Sequence, residues 1–184
     1  MAIQPPAERL WWNEPIAKGE LVWVAIAFTW GLIMFFMMVY WHIYGKQNLS
    51  SMVSRIDPEV YLQRTEAFAE KYKVRDEGET GVPVVKPEVG GDAYMLARTF
   101  DWWPILELEK GKTYKLHISS IDLQHGFSLQ PININIQVHP GLEHVLTVTP
   151  SEAGTYGVVC NEYCGLGHHV MTGRIYVVDS GQGG

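Results

Sequence analysis

The chain has 184 residues, enough for one domain of ordinary size with an appendage. A formal net charge of −6 argues against a nucleic-acid partner, because gripping phosphates needs a basic surface. Two cysteines are too few for a disulfide scaffold, so an apolar core must hold the fold, and the 47% of hydrophobic residues can supply one.

Residues 1–20 are mixed, with Leu10, Trp11 and Trp12 set among charges. Paired tryptophans just ahead of a hydrophobic run are expected to anchor at a membrane interface. The run LVWVAIAFTWGLIMFFMMVYWHI follows and contains no Asp, Glu, Lys or Arg. As a helix rising about 1.5 Å per residue it can cross a hydrocarbon layer roughly 30 Å thick. It is too long for a signal peptide, lacks a basic lead and has no small-residue cleavage site after it. One retained transmembrane helix is therefore expected over 21–44. Trp23 at one end and Tyr40, Trp41 and Tyr44 at the other form an aromatic belt. His42 reads as an interfacial polar tip.

Residues 45–91 are expected to be a connector with one short helix. Asp57 is its N-cap and Pro58 its first residue, while Val60, Tyr61, Phe68 and Tyr72 make a partial apolar stripe. RDEGETGVPVVKPEVGG then reads as a loop, from its Gly, Pro and charge. From residue 92 to 179, short alternating or β-branched runs are punctuated by Gly, Pro, Asn and Asp. That rhythm predicts an all-β sandwich or barrel, with Leu106, Leu108, Leu116 and Ile118 inward and Glu107, Glu109 and Lys115 outward. Residues 180–184 read as a disordered tail.

Both cysteines lie in CNEYCGLGHHVMTG, residues 160–173. A CxxxC pair alone suits a disulfide or two unrelated thiols. Here His168 follows Cys164 by four residues and Met171 follows by three more, on a loop between two expected strands. Soft sulfur with imidazole selects copper, and Met is the usual weak axial ligand of copper electron-transfer sites. Structural zinc does not usually enlist Met. A mononuclear blue-copper site needs one Cys, so the surplus thiolate suggests two bridged metal ions and requires a further histidine from elsewhere. Among the other histidines, His169 adjoins His168, His117 sits within a strand, and His139 and His144 flank a Pro-Gly turn where solvent should reach them.

The loop resembles the copper loop of subunit II of haem–copper oxidases, C-x-E/Q-x-C-x-x-x-H-x-x-M. Upstream, IDLQHGFSLQPININIQVHPG is similar to that family's D-x-x-H stretch, with Asp122 and His125 in the matching places. A single membrane helix and the C-G-L-G-H string resemble the B-type oxidases more than the mitochondrial type. The resemblance implies one N-terminal transmembrane helix followed by an all-β cupredoxin-like (Greek-key) domain. It implies a binuclear copper centre, CuA, with Cys160 and Cys164 as bridging thiolates and His125 and His168 as terminal ligands. Met171 would be a weak ligand, and Glu162 would bind through its backbone carbonyl. Asp122 would orient the neighbourhood of His125, and Phe100, Trp102 and Trp103 would be candidates for the point where an electron enters.

The function this implies is electron relay in a respiratory complex. Electrons would pass from cytochrome c or a similar donor to the copper pair, and on to haem in a partner, subunit I, where oxygen is reduced. No residue of this chain would be catalytic in the strict sense. The copper domain would stand on the outer face of a bacterial or archaeal cell membrane. Two alternatives remain at this point: the copper subunit of a related nitric oxide reductase, and a membrane-anchored copper carrier.

Overall fold

The computed structural model describes residues 15–45 and 51–181. Most of the expected interfacial anchor, and the last three residues of the expected tail, lie outside the described residues. The chain divides into two compact units, residues 1–48 and 49–184.

In the first unit, α1 (Lys18–Tyr44) is a single 27-residue helix. At about 1.5 Å per residue it is roughly 40 Å long. It starts three residues before the apolar run because Glu20 Oε2 accepts from the Ala17 backbone N–H at 3.0 Å and secures the first turn. None of its side chains is buried within the chain. Among the described residues it is the one helix long and apolar enough to cross a membrane.

The second unit holds β1 (Ser51–Arg55), α2 (Pro58–Tyr72), β2 (Lys73–Glu77), β3 (Val82–Val85), β4 (Asp92–Arg98), β5 (Asp101–Trp103), β6 (Ile105–Glu109) and β7 (Tyr114–Ser120). The chain continues through β8 (His125–Gln130), β9 (Ile134–Val138), β10 (Leu142–Val148), β11 (Gly154–Cys160) and β12 (Thr172–Val178). One sheet runs β1-β10-β7-β4-β5 and the other β2-β3-β6-β12-β11-β8-β9. Most neighbours are antiparallel, but β4 with β7, β6 with β12 and β3 with β6 run parallel. Met95, Leu106, Leu108, Leu116, Ile118, Phe127, Leu146 and Val158 are buried between the sheets. The all-β sandwich expected from the alternation is the one found, and it carries the cupredoxin-like architecture that the resemblance implies.

The connector differs from its expectation. Residues 45–91 contain α2 as expected, but also three strands that join both sheets. They do not look like strands for physical reasons. β2 is the charged run KVRDE at a sheet edge, and only Val84 and Val85 of β3 pair with β6, leaving Pro83 off that ladder. Glu107, expected on the wet face, is buried because Arg75 of β2 pairs with it, and Lys86 meets Glu109 at 3.2 Å.

Asp57 caps α2 as the sequence suggests, accepting from the N–H groups of Glu59 (2.9 Å) and Val60 (3.4 Å). The buried face is Tyr61, Thr65, Phe68 and Ala69, and Val60 points outward. Tyr61 donates its hydroxyl to the Met95 carbonyl at 3.0 Å, and Phe68 packs against Tyr94. Helix α2 therefore seals the outside of its own β domain. Thermal unfolding of the full chain in detergent should show the two layers differently. Asp57→Ala should cost about 1 kcal/mol through the lost cap, whereas Leu116→Ala in the core should cost about 2–5 kcal/mol.

Candidate metal centre

Three strand ends converge at one pole of the sandwich. Strand β8 begins with His125, β11 ends with Cys160, and β12 begins one residue after Met171. The pairing β8–β11–β12 sets Phe127 opposite Cys160 and Val159 opposite Thr172. Backbone bonds carry the ladder into the loop: Cys160 N–H donates to the Met171 carbonyl and Asn161 N–H to that of Gly126, both at 3.2 Å. A one-turn 3-10 helix, His168–Val170, is closed by His168 N–H to the Gly165 carbonyl at 3.1 Å. The loop is thus pinned at both ends and in its middle.

The six expected donors fall into one connected cluster. The sulfurs of Cys160 and Cys164 lie 3.7 Å apart, far beyond the ~2.05 Å of a disulfide, and both cysteines are free. Cys160 Sγ is 3.9 Å from His125 Nδ1 and 3.2 Å from the Glu162 carbonyl oxygen. Cys164 Sγ is 3.7 Å from His168 Nδ1 and 3.5 Å from Met171 Sδ. His125 is fully buried, and Cys160, Cys164 and Met171 nearly so. The ligand atoms of His125, Cys160 and Cys164 all lie within 4.8 Å of one another. Two thiols, a thioether and imidazoles form a soft donor set that fits copper.

Electrostatics prepare the donors. Asp122 Oδ1 meets His125 Nε2 at 2.8 Å; because a carboxylate only accepts, the ring proton sits on Nε2 and the Nδ1 lone pair faces the sulfurs. Burial pushes the Asp122 carboxyl up, but bonds from Thr99, His125 and the Leu123 N–H outweigh it and hold the group well below the usual range. Burial, reinforced by the neighbouring Cys160, pushes the Cys164 thiol up to about 11. A metal binding at the site must therefore displace a proton that burial favours.

The aromatic candidates separate. Phe100 is 37% exposed, and its ring lies against Gly165 and Gly167 of the ligand loop. Trp102 is buried edge-on to His125, with ring centres 6.3 Å apart. Its Nε1 has no hydrogen-bond partner among the described residues. Trp103 faces a groove beside α2 and sits under the Arg98 guanidinium. His169 is exposed and outside the cluster. His117 is held between Glu143 (2.8 Å) and Asp92 (3.2 Å). His144 departs from the solvated role expected of it: it lies in β10 with Nε2 buried, and burial lowers its pKa.

Sequence reading missed Thr99, whose backbone N–H and hydroxyl both donate to Asp122 Oδ2. It also missed why residue 126 is glycine. A Cβ there would fall 2.0 Å from Asn161 Oδ1 and 2.8 Å from the Glu162 backbone nitrogen.

The fold and the site define a cupredoxin-type copper domain joined to an apolar helix. No family model matches the chain. A cytochrome c oxidase subunit 2 from Thermus thermophilus is 40% identical over 85 residues, 46% of this chain and 63% of the relative. A second one from Thermus thermophilus matches equally well over 51% of its length. A heme-copper oxidase subunit 2 from Aeropyrum pernix is 34% identical over 67 residues, 35% of this chain and 29% of the relative. The matched stretch spans between half and two thirds of the two Thermus relatives. Among solved structures, a chain of a heme-copper terminal oxidase dimer, determined by cryo-EM, superposes with TM-score 0.56 at 20% identity. It covers 88% of this chain and all of that one, and shares the fold. The resemblance to subunit II of haem–copper oxidases, read from the copper loop, is borne out by these relatives.

The Gly126 contact gives a direct test. Gly126→Ala should force the Asn161–Glu162 backbone away from β8 and lower copper affinity at least tenfold, about 1.4 kcal/mol, by competition against a chelator. Unchanged affinity would mean that this close approach does not shape the site.

Proposed function

We propose that this chain is the electron-accepting subunit of a respiratory haem–copper terminal oxidase of the B type, holding a binuclear copper centre. The observation that supports it most is the order of the cluster. Two thiols stand at its middle, and each has its own histidine and one further weak donor. A mononuclear site has no use for the second thiol, and an exchangeable carrier site has no use for so closed a shell.

In this reading Cys160 and Cys164 would hold copper as thiolates, with His125 and His168 offering Nδ1, Met171 its Sδ and Glu162 its backbone carbonyl. Copper held here would supply one-electron redox chemistry. The chain supplies rigidity. The β8–β11–β12 ladder fixes His125, Cys160 and Met171 relative to one another, so the donors need not move when the charge changes. Asp122 holds the Nε2 proton and keeps Nδ1 available. Burial of both thiols and of Met171 excludes water. The Glu162 side chain is engaged elsewhere, accepting from Gln137 Nε2 at 2.9 Å, which leaves its carbonyl as the group that faces Cys160.

Helix α1 and the ligand loop support the partners proposed. Helix α1, with no side chain buried in its own chain, would cross the membrane beside subunit I, which carries the haem and reduces oxygen. Oxygen is proposed over nitric oxide because the relatives carry the names of oxidase subunits. The copper domain would stand on the outer side of a bacterial or archaeal membrane. The donor would be a c-type cytochrome or a similar carrier. Tyr163, Leu166 and Val170 of the ligand loop are 76%, 91% and 60% exposed, an apolar face beside the metal ligands. A complex purified from membranes through this chain should consume oxygen with reduced cytochrome c. Leu166→Glu should raise the KM for that donor about tenfold, ~1.4 kcal/mol, without loss of copper. A complex without haem or oxygen uptake would defeat the proposal.

A further inference from the structure

The geometry points to Thr99 as a positioning residue for the metal centre: its hydroxyl fixes the Asp122 carboxylate that orients His125. The inference rests on the electron-relay reading above and extends it to a residue outside the ligand motif. Thr99 lies at the corner between β4 and β5. Its backbone N–H donates to Asp122 Oδ2 at 2.6 Å, and its hydroxyl donates to the same oxygen. The other oxygen, Oδ1, accepts from the Leu123 N–H at 2.6 Å and faces His125 Nε2 at 2.8 Å. Ser120 Oγ also reaches Oδ1, at 3.2 Å. The two oxygens thus have separate duties. Thr99 holds one, and the other is left aimed at the ligand.

The same corner reaches the second half of the site. Phe100, the next residue, lays its ring on Gly165 and Gly167. A Cβ at residue 167 would fall 2.3 Å from Phe100 Cδ2, and one at residue 165 would fall 3.3 Å from Cε1. These glycines flank Leu166 within the stretch between Cys164 and His168. One short corner therefore touches His125 through Asp122, and the Cys164–His168 loop through Phe100. The two ligand segments are far apart in sequence, and this corner is a common support for both.

The backbone bond survives any substitution but proline, so the hydroxyl is the part that can be removed cleanly. Without it, Asp122 Oδ2 has one donor fewer and its carboxylate becomes a stronger acceptor. Its pull on the His125 Nε2 proton grows, the imidazole becomes a better donor, and the oxidised metal is favoured. The reduction potential should fall. A purely packing role for Thr99 would not give this sign.

The test compares Thr99→Val, which keeps the shape and loses the hydroxyl, with Thr99→Ser, which restores it, in the copper-loaded full chain. Thr99→Val should keep its copper content and show a lower reduction potential, and Thr99→Ser should stay at the wild-type value. Nitrogen NMR of the copper-free chain gives a second readout. His125 should be the Nε2–H tautomer in the wild type, with altered ring signals in Thr99→Val. Thr99→Ala, which adds no bulk at this exposed corner, replaces Thr99→Val if that variant does not fold. An unchanged potential with unchanged His125 signals overturns the inference, as does a Thr99→Ser shift equal to that of Thr99→Val. If the wild-type chain bound no copper pair, the electron-relay reading would fail, and the copper-free spectra would still decide the role of Thr99.

Discussion

The separation of two buried sulfurs governs this molecule. Cys160 and Cys164 hold their Sγ atoms 3.7 Å apart, too far to bond to each other and close enough to share a metal. Two thiols at that distance in an apolar pocket are unfavourable as anions, and burial accordingly holds Cys164 in its protonated form. A cation placed between them would stabilise both as thiolates. The surrounding fold can be understood as the means of keeping the pair in this frustrated position. β11 delivers Cys160, the glycine-rich loop returns Cys164 to it, and β12 leaves immediately after Met171.

That arrangement demands close backbone approach, and small residues provide it. Gly126 lets the start of β8 lie against Asn161 and Glu162, and Gly167 leaves room for the Phe100 ring. Gly173 does the same for Trp102, whose Cβ would stand 2.6 Å from an added methyl. Each glycine trades chain entropy for proximity at a point where a ligand segment crosses another element. The charges near the site are arranged with equal economy. Asp122 lies beside the one fully buried histidine of the site, and the other acidic side chain of the ligand region, Glu162, is turned to Gln137.

Much of this was legible in the sequence, and the reason is local spacing. Cys160, Cys164, His168 and Met171 lie within twelve positions, and soft donors at such intervals have few other uses. The long apolar helix was legible because its run of residues carries no Asp, Glu, Lys or Arg over more than twenty positions. The inward leucines of β6 and β7 followed from period-two alternation. What sequence could not convey depended on partners far along the chain. β2 and β3 look like a charged, proline-containing linker until β6 is placed beside them. Glu107 looks solvated until Arg75 arrives across 32 residues. Thr99 has no local signal, since its partner Asp122 is 23 residues away. Trp102 and Trp103 are adjacent in sequence yet face opposite ways, one beneath His125 and one beside α2, as alternation along a strand requires.

In the function proposed for this chain, the two thiols hold two metal ions as one electron-transfer unit. Copper content and the EPR spectrum of the oxidised full chain test it most directly. Two coppers per chain should share one unpaired electron, and coupling to two equivalent copper nuclei should spread the signal into seven lines. Cys160→Ser and Cys164→Ser should each abolish that pattern. One copper per chain with a four-line spectrum, or a copper-free protein with the cysteines joined as a disulfide, would contradict the account.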